Sequence, residues 1–410
     1  MSLRQDADAI IRAALAAAQP DAAVQKALSE MSFGSGKLVL IAAGKAAWQM
    51  ADAAYARLGD RISGGAVITK YGHSRGPIGA LSVFEAGHPV PDANSYRATQ
   101  AAIDAVTGLS PQDTVLFLLS GGGSALFEKP LIPVEDLDRL TRELLACGAE
   151  ITEMNTVRKR FSAVKGGRFA QLCAPAQVQS VVLSDIIGDP LDMIASGPAY
   201  PDSSTSAQAQ AVAEKYHLTL TDQMRALLAA ETPKRLENVQ THITGSVRQL
   251  CLAAEAACRE LGYRPVTLTA SLCCEAREAG TFLANIAQYA QSSTESLAFL
   301  AGGETVVHLT GHGKGGRNQE LALSAAAGID GLRDTAVFSL GSDGTDGPTD
   351  AAGGFADGET AAKLREKGID IFRVLQENDA YHALSACGGL LMTGPTGTNV
   401  NDLSVLLIRR

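Results

Sequence analysis

Short apolar runs rich in Val, Ile and Leu alternate along this chain with segments of helical periodicity, and that alternation limits the fold more than any other feature. In the first half the runs fall at 37–42, 65–69, 81–85, 114–119 and 179–184, with helical patterns over 46–58, 93–107 and 135–147. Parallel strands must be joined by a crossover, and a helix is the compact crossover, so this spacing predicts βαβ units and a mainly parallel sheet. Runs such as VLFLL and SVVLS show no polar alternation, as expected of strands covered on both faces. The fold class is α/β.

Ala-rich helices are expected over 4–30, and the Ser-, Thr-, Gln- and Ala-rich stretch 201–245 reads as surface helices and a connection. A second series begins with the run at 241–245 and continues with helices over 247–261, 275–290 and 318–327 and strands at 265–270, 297–300, 305–309 and 335–340. Helices over 359–366 and 378–385 and strands at 389–392 and 403–408 complete it. A chain of 410 residues exceeds what one core usually holds. Two domains are therefore expected, 1–235 and 236–410.

A net charge of −9 with no basic stripe excludes a nucleic-acid partner and requires that any anionic small molecule meet locally concentrated Lys and Arg. The seven cysteines include no pair with metal-ligand spacing and read as idle thiols of a reducing compartment. The first residues, MSLRQDADAIIRAALAAA, carry acids at helical spacing, unlike a signal peptide, and are too short in apolar length to span a membrane. A cytoplasmic protein without a membrane partner is expected.

Ligands of open α/β sheets bind outside the carboxyl ends of the strands, so the loops after the runs are the candidate sites. The first is Gly44-Lys45-Ala46-Ala47, which aims Lys45 at a helix start. The second is Ser120-Gly121-Gly122-Gly123-Ser124, where three successive glycines suit backbone amides turned toward a phosphate or carboxylate. Five basic residues within eleven positions, Arg158 to Arg168, form either a solvated helix face or further anion contacts, with Asn155, Arg158 and Lys165 the candidates. Asp185 and Asp189 share one loop after a strand and suit Mg2+ or a general base.

In the second half, the run 305–309 is followed by Gly311-His312-Gly313-Lys314-Gly315-Gly316 and then by Arg317-Asn318-Gln319-Glu320 opening a helix. Strand, glycine loop and helix start in that order form an anion-binding device, to which Lys314 and Arg317 add charge. Gly311, Gly313 and Gly316 also match the dinucleotide fingerprint. That fingerprint expects an acid about 20 residues on, at the end of the next strand, whereas Asp334 precedes the run 335–340 and Asp343 follows it. Two glycine loops, a basic cluster and paired aspartates suit phosphoryl transfer, which rests on positioning and charge neutralisation, better than hydride transfer.

Taken together the motifs resemble the type II glycerate 2-kinases. The blocks are GKAA at 44–47, GHPVPD at 87–92, SGGGSAL at 120–126, NTVRKRFSAVKGGR at 155–168 and SDIIGDPLDMIASGPAYPD at 184–202. GGET at 302–305, GHGKGGRNQE at 311–320, GSDGTDGPTDAAGG at 341–354 and TGPTGTNVNDL at 393–403 continue the series. The resemblance implies an N-terminal Rossmann-like, doubly wound domain, a C-terminal mixed-sheet MOFRL-type domain and an active site in the cleft between them. It also implies ATP-dependent phosphorylation of D-glycerate at the 2-hydroxyl, by a monomer or homodimer, with Lys45 and Arg317 catalytic. Asp185 or Asp189 would hold Mg2+ on the ATP phosphates, and one of them, Asp189 foremost, would take the hydroxyl proton. Ser120 to Ser124, Asn155, Arg158, Lys165, Gly313, Lys314, Gly315 and Gly316 would seat substrate and phosphates. The alternatives are an NAD(P)H-dependent hydroxypyruvate reductase and a non-catalytic phospho-metabolite binder.

Overall fold

A computed structural model describes residues 2–184 and 191–410. Two compact units emerge. One comprises Ala23–Ser184 and the chain from Leu191 to Thr244; the other comprises the chain up to Ala22 together with Gly245–Arg410.

The first unit is built on six strands, β1 (Leu38–Ala43), β2 (Ile62–Lys70), β3 (Leu81–Ala86), β4 (Thr114–Leu119), β5 (Gln177–Leu183) and β6 (Val239–Thr244). All pair in parallel, in the order β3-β2-β1-β4-β5-β6. That is the doubly wound order whose direction reverses between β1 and β4, the switch point where such sheets bind ligands. Every residue of β1 and β4 is buried, which is why neither strand alternates. Phe117 of β4 packs with Phe127 and Phe169 at ring-centroid distances of 5.6 and 4.9 Å, fixing the strand beneath the loop that follows it.

The second unit carries β7 (Arg264–Leu272), β8 (Leu297–Gly303), β9 (Thr335–Gly341), β10 (Gly353–Asp357), β11 (Leu390–Leu391) and β12 (Asp402–Ile408). Their order is β11-β10-β9-β12-β8-β7; only β7 and β8 pair in parallel, so the sheet is mixed. The helix Leu3–Ala17 belongs to this unit. Tyr263 donates a 2.6 Å hydrogen bond to its buried Asp6, Arg409 pairs with the same carboxylate, and Arg4 donates to the Leu390 carbonyl at 3.0 Å.

Three departures from the expected elements bear on the site. The run 241–245, assigned by sequence to the second series, supplies β6, which pairs along β5 and completes the first sheet. The sheets thus divide at 244/245 rather than at 235/236, and the first helix lies with the second sheet. Residues 305–309 are not a strand. β8 ends at Gly303, opposite the first residue of its partner β12, and beyond it the chain keeps one isolated bridge, Val306 to Glu275, with Val306, His308 and Leu309 exposed. Finally, β10 matches no run assigned from the sequence, because its two leading glycines mask strand character; Gly353 has no room for a side chain over the Ser339 carbonyl.

Candidate active site

At the switch point of the first sheet, the loops after β1 and β4 join. The Lys45 amide donates to the Gly121 carbonyl at 2.8 Å and the Ala46 amide to Ser120 Oγ at 3.1 Å. Gly44, at φ +128°, must be glycine, since a Cβ there would fall on Ser120. The sequence flags these two loops separately, and the strand order makes them one surface. Gly122 has φ +86°, and a Cβ on it would meet both the Lys45 side chain and the His88 imidazole about 3 Å away. Among the described residues, the amides of Gly121, Gly122, Gly123 and Ser124 have no protein acceptor. Successive unpaired amides in a left-handed turn form a concave donor set for an anion.

The rim of this surface is cationic. Lys70 ends β2, His73 Nδ1 lies 3.1 Å from the Lys45 carbonyl, and His88 follows β3. Burial, then the charges of Lys45, Lys70 and His73, hold the His88 imidazole below its usual value. Neither His88 nor His73 is singled out by sequence reasoning. The signal that points to His88 is its block, GHPVPD, in which the imidazole is the one ionisable side chain other than the helix-capping Asp92.

Behind the glycine loop the basic cluster resolves differently from either expectation. Lys159, Arg160 and Lys165 are buried ion-pair partners rather than a solvated face or open anion contacts. Lys159 binds Asp202 at 3.1 Å, Arg160 donates to Glu231 and Thr232, and Lys165 lies 2.6 Å from Glu128. Lys165 also donates to the Ser124 carbonyl at 2.5 Å, so it supports the loop from beneath and is not a direct anion contact. Burial depresses the Lys165 ammonium, with Glu128 opposing. Asn155 accepts from Ser196 Oγ at 3.2 Å, and Ser196 lies 3.2 Å from Ser124 Oγ. Ala195 and Ser196 hold φ of 49° and 62°, a strained conformation for residues with side chains and one that collects at functional sites. Arg158 is half-buried and, among the described residues, its guanidinium has no ion-pair partner. Asp185 and Asp189 lie outside the described residues, and among those described no group of three or more His, Cys, Asp or Glu is arranged to hold a metal.

In the second unit the fingerprint loop is already occupied by protein. The Gly311 amide donates to Asn378 Oδ1 at 2.9 Å, the Gly313 amide to the Glu377 carbonyl at 2.7 Å and the Lys314 amide to Asp379 Oδ1 at 2.9 Å. Its glycines permit close approach to residues 377–380. The start of the helix Arg317–Gly328 is occupied too, by the buried Asp346 carboxylate, which accepts from the amides of Asn318 and Gln319 at 3.2 and 2.9 Å. The expected amide cradle of Gly313 to Gly316 is therefore reduced to the amides of Gly315 and Gly316 and the Lys314 ammonium, which sits 4.3 Å over the Tyr381 ring. Arg317 is held bidentately by Asp402, at 2.5 and 3.0 Å, with Glu304 at 3.3 Å on its third nitrogen. Burial pushes the Asp346 carboxyl up to about 6.

Fold and site define a two-unit α/β protein of the doubly wound class, with an open amide loop and a cationic rim at its switch point. Residues 6–229 match a domain of unknown function, DUF4147, and residues 297–402 match the MOFRL family. The chain is 51% identical, over 99% of both sequences, to the D-glycerate 2-kinase of Thermotoga maritima. It superimposes on the crystal structure of a Thermotoga maritima glycerate kinase with a TM-score of 0.95, 50% identity and 99% of each chain covered. A relative from Agrobacterium vitis, 40% identical over 100% of this chain and 95% of its own length, carries the name hydroxypyruvate reductase. The chain belongs to the glycerate kinase family that pairs a DUF4147 domain with a MOFRL domain.

Proposed function

We propose that this chain is a cytoplasmic, ATP-dependent kinase that transfers phosphate to the 2-hydroxyl of D-glycerate, giving 2-phosphoglycerate and ADP. The observation that carries the reading is the 51% identity to a D-glycerate 2-kinase over 99% of both chains. Hydride transfer is disfavoured on physical grounds. A pyrophosphate at the fingerprint would have to displace Asn378, Glu377 and Asp379 from the loop amides and Asp346 from the helix start. The switch-point loop, by contrast, has four amides without a protein acceptor among the described residues.

Glycerate and the nucleotide phosphates are anions, so seating them needs donors and cations in fixed positions. The amides of Gly121 to Ser124, with Ser120 at their base, take one anionic group, and Lys45 supplies charge as the phosphoryl group moves. Arg158, which has no ion-pair partner among the described residues, and Asn155 are candidates for the substrate carboxylate. Lys314 and Arg317 serve the phosphates, with Arg317 fixed in orientation by Asp402. Mg2+ would neutralise charge on the nucleotide phosphates, held by Asp185 and Asp189.

The test is a coupled assay run on the full chain. ADP release that depends on D-glycerate supports the kinase, and NADH oxidation with hydroxypyruvate in its place would sink it. Lys45→Ala and Arg317→Ala should each lower kcat by roughly 100-fold or more, the loss seen when one charge-stabilising donor is removed. Near wild-type kinetics for both would refute their catalytic assignment, and an unchanged Mg2+ requirement in Asp189→Asn would refute that ligand.

A further inference from the structure

We infer that His88 is the base that takes the proton from the acceptor hydroxyl. The inference rests on the kinase reading and deepens it, since phosphate transfer to an alcohol needs a proton acceptor beside the attacking oxygen. Three observations converge on this imidazole. It lies at the carboxyl end of the sheet, beside the switch point, and a side chain on Gly122 would collide with its Nε2 at 3.1 Å and with Lys45 Cγ at the same distance. His88 and Lys45 therefore share the bare surface of Gly122, one of the four residues whose amides are open. The imidazole is half-buried, yet among the described residues no protein group hydrogen-bonds to it. Among the described residues, the charges that act on it come from Lys45 in the loop after β1, Lys70 at the end of β2 and His73 in the turn that follows.

A neutral ring in a cationic pocket accepts hydrogen bonds but does not compete with Lys45 for the anion. Burial and those three charges depress its proton affinity, so at neutral pH the ring is in the accepting form. In the step, the 2-hydroxyl O–H bond breaks and its proton goes to the imidazole nitrogen. The oxygen forms a bond to the γ-phosphorus of ATP, and the bond from that phosphorus to the bridging oxygen breaks, its electron pair leaving with ADP. This places the proton on His88 rather than on Asp185 or Asp189, which would be left to hold Mg2+.

The experiment compares wild type, His88→Ala and His88→Asn in D-glycerate-dependent ADP release across pH. Expected results are a kcat lowered about 100-fold or more in both variants, a KM for ATP within about threefold of wild type, and unchanged melting temperatures. In wild type, kcat should rise with pH along an acid limb centred below 6.5, the ordinary value for histidine; His88→Ala should lack that limb. Added imidazole should restore part of the rate in His88→Ala and none in Lys45→Ala. Full kcat with the limb intact in His88→Ala, or a raised KM for glycerate at unchanged kcat, overturns the assignment while leaving the kinase reading in place. Absence of glycerate-dependent turnover in wild type overturns both.

Discussion

Glu128→Ala would leave the Lys165 ammonium buried without its counter-charge. The two groups lie 2.6 Å apart with side-chain exposures of 1% and 0%, so water cannot replace the lost carboxylate. Breaking such a pair from one side costs about 3–5 kcal/mol. With about 2–4 °C of melting temperature per kcal/mol for a unit of this size, the expected drop is roughly 6–20 °C by circular dichroism. The lysine should also become a source of pH dependence. Its folded-state value is already depressed by burial, with Glu128 the influence raising it. In the variant it falls further, so the unfolded chain binds more protons and stability should rise with pH up to about 10.5. Glu128→Leu with Lys165→Met removes both charges and should recover most of the stability. It should not recover activity, because Lys165 also holds the Ser124 carbonyl and with it the open amide loop. A Glu128→Ala melt within about 2 °C of wild type, or a double variant as unstable as the single one, would refute the reasoning.

Two further outcomes are expected. Asp346, whose carboxyl is pushed up from 3.8 to about 6 by burial, favours folding most when protonated; that contribution is present below about 3.8 and is lost as pH rises through about 6, roughly 3 kcal/mol in all. Asp346→Asn cannot titrate, so the difference between its urea-melt stability and that of wild type should shift across that window, and parallel curves would contradict the burial argument. Asp402→Ala frees the Arg317 guanidinium from its bidentate partner and should lower kcat on the order of 10- to 100-fold through misplacement. Combined with Arg317→Ala it should add little further loss, and full additivity in that cycle would show that Asp402 acts elsewhere.

Much of this was legible in one dimension. The unalternating runs of β1 and β4 foretold strands covered on both faces, and they are buried throughout. Both glycine loops at the switch point were identifiable, since a strand followed by glycines and a helix start is a local pattern. The residues that misled did so through local resemblance to something else. Val306 and its neighbours have strand composition but, among the described residues, only an isolated bridge to Glu275. Lys159, Arg160 and Lys165 look like a charged face because their carboxylate partners lie far away in sequence, at Asp202, Glu231 and Glu128. The glycines at 353 and 354 hide a strand because they serve close backbone packing.

The sequence by itself determined the α/β class, the positions of the candidate glycine loops and the family, because periodicity, glycine placement and motif order are properties of neighbours along the chain. Only the tertiary structure decided which loops remain available to a ligand. The β3-β2-β1-β4-β5-β6 order brings Lys45, His88 and the loop 120–124 together and leaves four amides without an acceptor among the described residues. In the other unit, packing of residues 377–380 and Asp346 against the fingerprint loop fills donors that look equally free in the sequence. A backbone amide is a ligand site only if no protein acceptor reaches it first, and that depends on which distant segments the fold makes neighbours.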